Sequence, residues 1–173
     1  MENYRLMLKY WFKGTAILYI LWLLLSGILK PKFLIVGFVT SLLIVFICMP
    51  SMWIEGRDGK TKYCLLDISL FKVAKYWLWL FVQIAKSSID VAKIVISPNM
   101  KKKMNPQLVE FDCWYQNPIA TSVLINSIIL TPGTVTVEVK DERHFVVHAL
   151  TDEAALGLLD GTMQRKIAEL FGE

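Results

Sequence analysis

Two runs of sequence near the N-terminus hold no Asp, Glu, His, Lys or Arg: Gly14 to Leu29 and Phe33 to Met49. Each is long enough, as a helix, to approach the thickness of a hydrocarbon layer. Sixteen helical residues rise about 24 Å, against a bilayer core of roughly 30 Å. Tyr10, Trp11 and Phe12 extend the first run, and Lys13 has a stem long enough to reach a headgroup level. The interruption Lys30, Pro31, Lys32 ends the first helix, because proline lacks a backbone donor. With so short a connection the two runs form an antiparallel transmembrane hairpin. Gly37 and Ser41 stand four apart in the second run, a small-xxx-small spacing that lets helices approach closely. A second apolar run directly after the first reads as a retained hairpin rather than a cleaved leader.

Charge divides the chain in the same sense. Residues 1–103 carry 15 Lys+Arg against 5 Asp+Glu, a net of +10; residues 104–173 carry 4 against 10, a net of −6. A basic membrane part followed by an acidic part implies two environments, and the basic part suits attraction to anionic lipid. The basic residues flank apolar runs without a recognition motif, so nucleic acid is not an expected partner. The three cysteines, Cys48, Cys64 and Cys113, lack CxxC spacing and are expected as free thiols.

Residues 54–66 read as a polar loop. Asp67 is positioned to cap a helix running from Ile68 to about Ser97, before Pro98. At 100° per residue, Lys72, Lys75, Gln83, Lys86, Asp90 and Lys93 share a stripe about 80° wide. The remaining faces carry Phe71, Trp77, Leu78, Leu80, Phe81, Ile84, Val91 and Ile94. This helix either lies at the cytoplasmic membrane surface with its lysines toward headgroups, or crosses the bilayer with the stripe against partner subunits. Parity favours the surface. Two crossings leave Arg5, Lys9 and Lys13, then Arg57, Lys60 and Lys62, then Lys101, Lys102 and Lys103 on one side, the cytoplasm by the positive-inside rule.

From residue 104 the pattern is that of a small α+β domain in the order β-α-β-β-α. Gln107–Cys113 reads as a strand. Asn117 and Pro118 open a helix to about Ile129. Thr131 to Thr134 forms a turn with Pro132 and Gly133 at the central positions of type II. Thr134–Val139 alternates as a strand, and Phe145–Leu150 pairs back on it. Thr151 caps a last helix, lined on one face by Leu156, Leu159, Met163, Ile167 and Leu170, with Gly161 as a weak point. The expected segments are therefore 1–53, a transmembrane hairpin; 54–103, a loop and a long amphipathic helix; and 104–173, a cytoplasmic α+β domain.

Candidate chemistry is sparse. His144 falls at a hairpin turn, and His148 sits in a strand among apolar neighbours. No spacing marks Cys113 and His148 as a nucleophile–base pair. No phosphate loop, metal-ligand cluster or paired-carboxylate signature is present, so neither enzymatic activity nor a cofactor is expected. The polar group Asn126, Ser127, Thr131, Pro132, Gly133 and Thr134, with His148, is the candidate subunit interface. Lys72, Lys75, Lys86, Asp90 and Lys93 form a candidate surface for membrane or partner.

The run NSIILTPGTVTV (Asn126–Val137), followed by FVVHAL (Phe145–Leu150), resembles the E-type subunits of the multisubunit Na+/H+ antiporter (Mrp, also Mnh or Pha). KSSIDVA (Lys86–Ala92) matches that family's A-x-x-D-V-A stretch, except that lysine stands where a small or apolar residue is expected. The resemblance covers nearly the whole chain. It implies a multi-pass component of a bacterial plasma-membrane complex that exchanges sodium, or another monovalent cation, for protons and supports pH homeostasis. Its implied partners are the A, B, C, D, F and G subunits and membrane lipids, and it carries over no catalytic residue. The alternative is a membrane-anchored binding or regulatory module acting through its acidic C-terminal domain.

Overall fold

The computed structural model describes residues 2–173, with side chains from Met7 onward; the Arg5 side chain lies outside the described residues. The chain divides into two compact units. One comprises residues up to Ile54 together with Lys62–Asp67, the other Glu55–Thr61 together with Ile68–Glu173.

The first unit is a helical hairpin. Helix α1 spans Glu2–Ser26 and α2 spans Pro31–Cys48, followed by a 3-10 turn, Met49–Met52. Two segments, Met7–Ser26 and Pro31–Met52, are long and apolar enough to cross a membrane, and most of their length is not buried within the protein. A core helix of a soluble protein would be mostly buried; these expose their apolar surface. The break between the helices is placed differently from the sequence reading. The residues between them are Gly27 to Lys30, and Pro31 starts α2 at its first position rather than ending α1. Proline suits that position because its missing N–H would lack an intrahelical partner in any case.

The seam between α1 and α2 follows Gly37, Ser41 and Val45, the buried residues of α2. The Ser41 hydroxyl donates to the Gly37 carbonyl at 2.7 Å, so its buried polarity is satisfied within the helix. Trp22 of α1 lies over Gly37: a Cβ there would stand 2.3 Å from the indole. Edge-on aromatic pairs, Trp11 with Phe46 and Tyr19 with Phe38, flank the seam at centroid separations of 5.6 Å. A short ribbon follows, β1 (Trp53–Glu55) paired with β2 (Lys62–Cys64), in place of the expected loop. Asp58 closes its turn by accepting from the backbone of Lys60 and Thr61 at 3.1 and 3.0 Å. Asp67 does not cap the next helix. It lies in the 3-10 turn Leu65–Asp67 and accepts a hydrogen bond from the Tyr10 hydroxyl, while Lys13 donates to the Leu66 carbonyl.

The second unit begins with helix α3, Leu70–Ile96, and a single turn α4, Met100–Lys103. Then come β3 (Gln107–Asp112), α5 (Pro118–Leu130), β4 (Thr134–Lys140), β5 (His144–Ala149), α6 (Asp152–Leu159) and α7 (Thr162–Phe171). The strands form an antiparallel sheet in the order β3-β5-β4, which puts the last strand in the middle. Phe145, Val147 and Ala149 of β5 turn one way into the core and are fully buried. They meet Leu124 and Ile128 of α5, Ile167 of α7, and Tyr76 and Leu80 of α3 in one cluster, with Phe111 stacked on Phe145 at 5.3 Å.

The single last helix of the sequence reading is two. Gly161, at φ +71°, separates α6 from α7, and the break changes which residues face inward. Ala155 and Leu158 of α6 are buried while Leu156 and Leu159 are exposed; Met163, Ile167 and Leu170 of α7 are buried as expected.

The close contact at Gly37 sets a test. Gly37→Leu should destabilise the hairpin by about 1–3 kcal/mol through overpacking, read as a lower melting temperature of the full chain in mild detergent. Trp22→Ala in the same chain should relieve part of that loss; no loss in the single variant would put the seam elsewhere.

Candidate interface

The polar group singled out in the sequence folds into the join between α5 and β4. Asn117 caps α5 by accepting from the Ile119 N–H at 3.0 Å. At the far end of α5 the Ser127 hydroxyl meets the Tyr76 hydroxyl of α3 at 2.7 Å in a buried setting. Burial raises the Tyr76 phenol above its ordinary value, which keeps it neutral. Thr131 Oγ1 donates to the Ser127 carbonyl at 2.8 Å, and Thr134 Oγ1 lies 2.7 Å from the Ile128 carbonyl and 2.9 Å from that of Thr131. Gly133 sits at φ +88°, as the second central residue of the turn, and its carbonyl accepts from the Leu150 N–H at 2.8 Å. The Pro132 carbonyl accepts from the Ser87 hydroxyl of α3.

Ser127 and Thr134 are therefore buried and bonded within the domain. Their hydroxyls hold α5, β4 and α3 together and are not free to meet a partner. Asn126 is exposed, its amide donating to the Ser122 carbonyl at 2.9 Å. Ile129 and Leu130 beside it are exposed apolar residues.

The structure brings two of the sequence-predicted groups together. A cavity of about 330 Å³ opens between α3, the Thr131–Thr134 turn and α6, and Lys86, Asp90, Thr131, Gly133, Glu153 and Asp160 are among its lining. Elsewhere on the stripe, Asp90 pairs with Lys93 at 2.9 Å, both exposed, and Lys72 Nζ reaches the Glu169 carbonyl at 3.4 Å. Lys75 lies close enough to Glu169 to help hold that carboxyl below its ordinary value, after the larger effect of Lys166.

His148 is not part of this join. It lies on β5 opposite Leu108 of β3 and Val135 of β4, half-buried on the outer face of the sheet. Cys113 follows the other end of β3, beyond Asp112 and its partner His144, so roughly 17 Å of strand separates it from His148. Burial pushes the Cys113 thiol up to about 12, so it stays protonated. No nucleophile–base pair forms from these two. His144 is held between Asp112, 2.9 Å from Nδ1, and Glu110, 3.4 Å from Nε2. The hydrogen bond to Asp112 raises its imidazole above the usual value. Among the described residues, no group of three or more His, Cys, Asp or Glu could hold a metal ion.

Arg57 is the residue whose role the sequence does not disclose. Grouped with Lys60 and Lys62 it reads as part of a basic cluster in a polar loop, yet its side chain is largely enclosed. Its guanidinium donates to the Tyr115 carbonyl at 2.8 Å, to Thr121 Oγ1 at 3.1 Å and to Glu142 at 3.2 Å, and its backbone N–H bonds the Gln116 carbonyl at 3.3 Å. Glu173 completes the same corner by accepting from the N–H groups of Gln116 and Asn117 at 3.2 and 3.0 Å. The partners stand 58 to 85 positions away, so no local pattern announces them.

Against this geometry, the profile of the family described as Na+/H+ ion antiporter subunit, MNHE, matches residues 15–170. The chain belongs to this family of Na+/H+ antiporter subunits. It is similar to the E1 subunit of the Na+/H+ antiporter of Staphylococcus haemolyticus (strain JCSC1435), at 28% identity over 158 residues, 89% of this chain and 92% of that one. It is also similar to the E1 subunit of the Na+/H+ antiporter of Staphylococcus saprophyticus, at 25% identity over 160 residues, 90% and 93% of the two chains. A solved chain from the membrane-bound sulfane sulfur reductase, an archaeal respiratory membrane complex, shares the fold, with a TM-score of 0.69, 23% identity and coverage of 93% of this chain and 98% of that one. The family is a component of ion transport, and the two exposed apolar helices of this member place it in a membrane.

Two substitutions probe the join. Gly133→Val should cost about 1–3 kcal/mol, because a β-branched residue does not readily take a positive φ; an unchanged melting temperature would deny the turn its strain. Arg57→Ala should cost about 1–3 kcal/mol by stripping the buried Tyr115 carbonyl of its donor. Arg57→Lys should recover only part of that, since one ammonium cannot reach three acceptors in a fork. Limited proteolysis at residues 55–61 checks this, with equal cleavage in wild type and Arg57→Ala as the contrary result.

Proposed function

We propose that this chain is an accessory and assembly subunit of a multisubunit monovalent cation/proton antiporter in the bacterial plasma membrane, supporting Na+ extrusion and pH homeostasis without an ion path of its own. The observation that carries this reading is the absence of Asp, Glu, His, Lys and Arg from Gly14–Ser26 and from Phe33–Cys48. Protons and sodium cross hydrocarbon by way of ionisable groups at membrane depth, and here the polar side chains at that depth include Ser41 and Thr40, both donating to their own helix. The ion path then belongs to other members of the complex, the A, B, C, D, F and G subunits expected from the resemblance. The hairpin packs against them, and the α/β domain, on the cytoplasmic side, meets them through the exposed part of the Asn126–Thr134 region.

Reconstituted alone in liposomes, the chain should support no Na+-dependent collapse of a pH gradient. Removed from the complex in cells, it should reduce recovery of the large subunits in mild detergent. Exchange by the isolated chain would overturn the reading; so would a complex that assembles and turns over normally without it.

A further inference from the structure

The surface of α3 divides into three parts. One face, with Tyr76 and Leu80, is buried against the α/β domain, and Ile94 further along the helix is buried as well. Beside it runs the stripe of Lys72, Lys75, Lys86, Asp90 and Lys93. The rest is an arc about 140° wide with no charged residue over the 27 residues of the helix. Phe71, Trp77, Leu78, Phe81, Ile89 and Ile96 stand out from it, with Phe71 79% and Ile96 82% exposed. A continuous apolar face of this extent on a helix about 40 Å long is not one that water covers at rest.

We propose that α3 is an interfacial helix whose uncharged arc sits at the acyl-chain level of an anionic phospholipid leaflet, with the lysine stripe at the headgroup phosphates and the α/β domain on the water side. Three observations select this occupant. The domain is docked along nearly the whole helix, from Lys72 bonded to Glu169, through Tyr76 with Ser127 and Ser87 with Pro132, to buried Ile94. A crossing orientation would drag that acidic, water-facing domain into hydrocarbon, which its charged surface forbids. The edge of the arc carries four lysines against one carboxylate, Asp90, already paired with Lys93. The exposed turn α4 adds Lys101, Lys102 and Lys103 just beyond the helix end. A basic margin beside an apolar arc is the charge complement of anionic headgroups over acyl chains. This inference is independent of the antiporter reading, since it concerns only what the arc touches.

The test uses the full chain in two settings. In native membranes, a photoreactive benzophenone residue is placed in turn at Leu78, Phe81 and Ile89, all exposed, and the adducts are identified by mass. Phospholipid adducts at all three positions are the expected result; adducts mainly to another polypeptide would overturn the proposal by making the arc a protein contact. In vesicles, the Trp77 signal is isolated as the difference between wild type and Trp77→Phe. Brominated phosphatidylglycerol should quench it more strongly than brominated phosphatidylcholine. The combined Lys72→Gln, Lys75→Gln, Lys86→Gln, Lys93→Gln variant should lose that headgroup preference. A Trp77 signal unquenched by either lipid would place the arc in water and overturn the proposal.

Discussion

The second unit is built on what α3 does for it. Seventy residues from the C-terminal part bury only a modest core by themselves, and α3 supplies the missing wall. Tyr76 and Leu80 enter the cluster formed by Phe145, Val147, Leu124 and Ile167. The bond between the Tyr76 and Ser127 hydroxyls fixes where they enter. A hydroxyl buried at that point without its partner would cost about 1–3 kcal/mol, so the pair specifies position as well as adding stability. The Ser87 bond to Pro132 and the packing of Val91 beside Gly133 extend the same attachment along the helix. The turn at Gly133 is thereby held from two sides, by α3 and by the backbone of Leu150.

The sequence exposes some of this and hides the rest, for identifiable reasons. The apolar hairpin is legible because lack of charge over a membrane thickness is a one-dimensional signal. The Gly37–Ser41 spacing points to the seam that the structure uses. Asn117, Thr151 and Gly133 announce themselves because caps and left-handed turns depend on residue type at one position. Pro31 misleads, since proline both ends and begins helices, and only the backbone at Lys30 tells which. Asp67 misleads because a cap competes with a distant hydroxyl, that of Tyr10, which local reading does not see. Gly161 stands out as a weak point, but continuous apolar spacing through it conceals that α6 and α7 present different faces.

The candidate interface is half legible. Ser127 and Thr134 draw notice because hydroxyls in an apolar run demand explanation, and the explanation is internal bonding. Their apolar neighbours Ile129 and Leu130, with Leu156 and Leu159 of α6, are exposed, as Asn126 is. They look like ordinary core positions in sequence, because a residue's type does not record on which side of a helix its neighbours lie. Arg57 is invisible as a structural residue for the opposite reason: an arginine in a polar loop reads as solvated, and its three acceptors lie far along the chain.

That placement of Arg57 has a temporal consequence. The chain leaves the hairpin unit at Glu55, returns to it at Lys62, and leaves again after Asp67. Residues 55–61 are synthesised directly behind the apolar hairpin, yet the groups that receive Arg57 are Tyr115, Thr121 and Glu142. During ribosomal synthesis from N- to C-terminus this loop therefore waits, its guanidinium hydrated, while the hairpin can already have entered lipid. The domain therefore closes back onto a loop that was made before it.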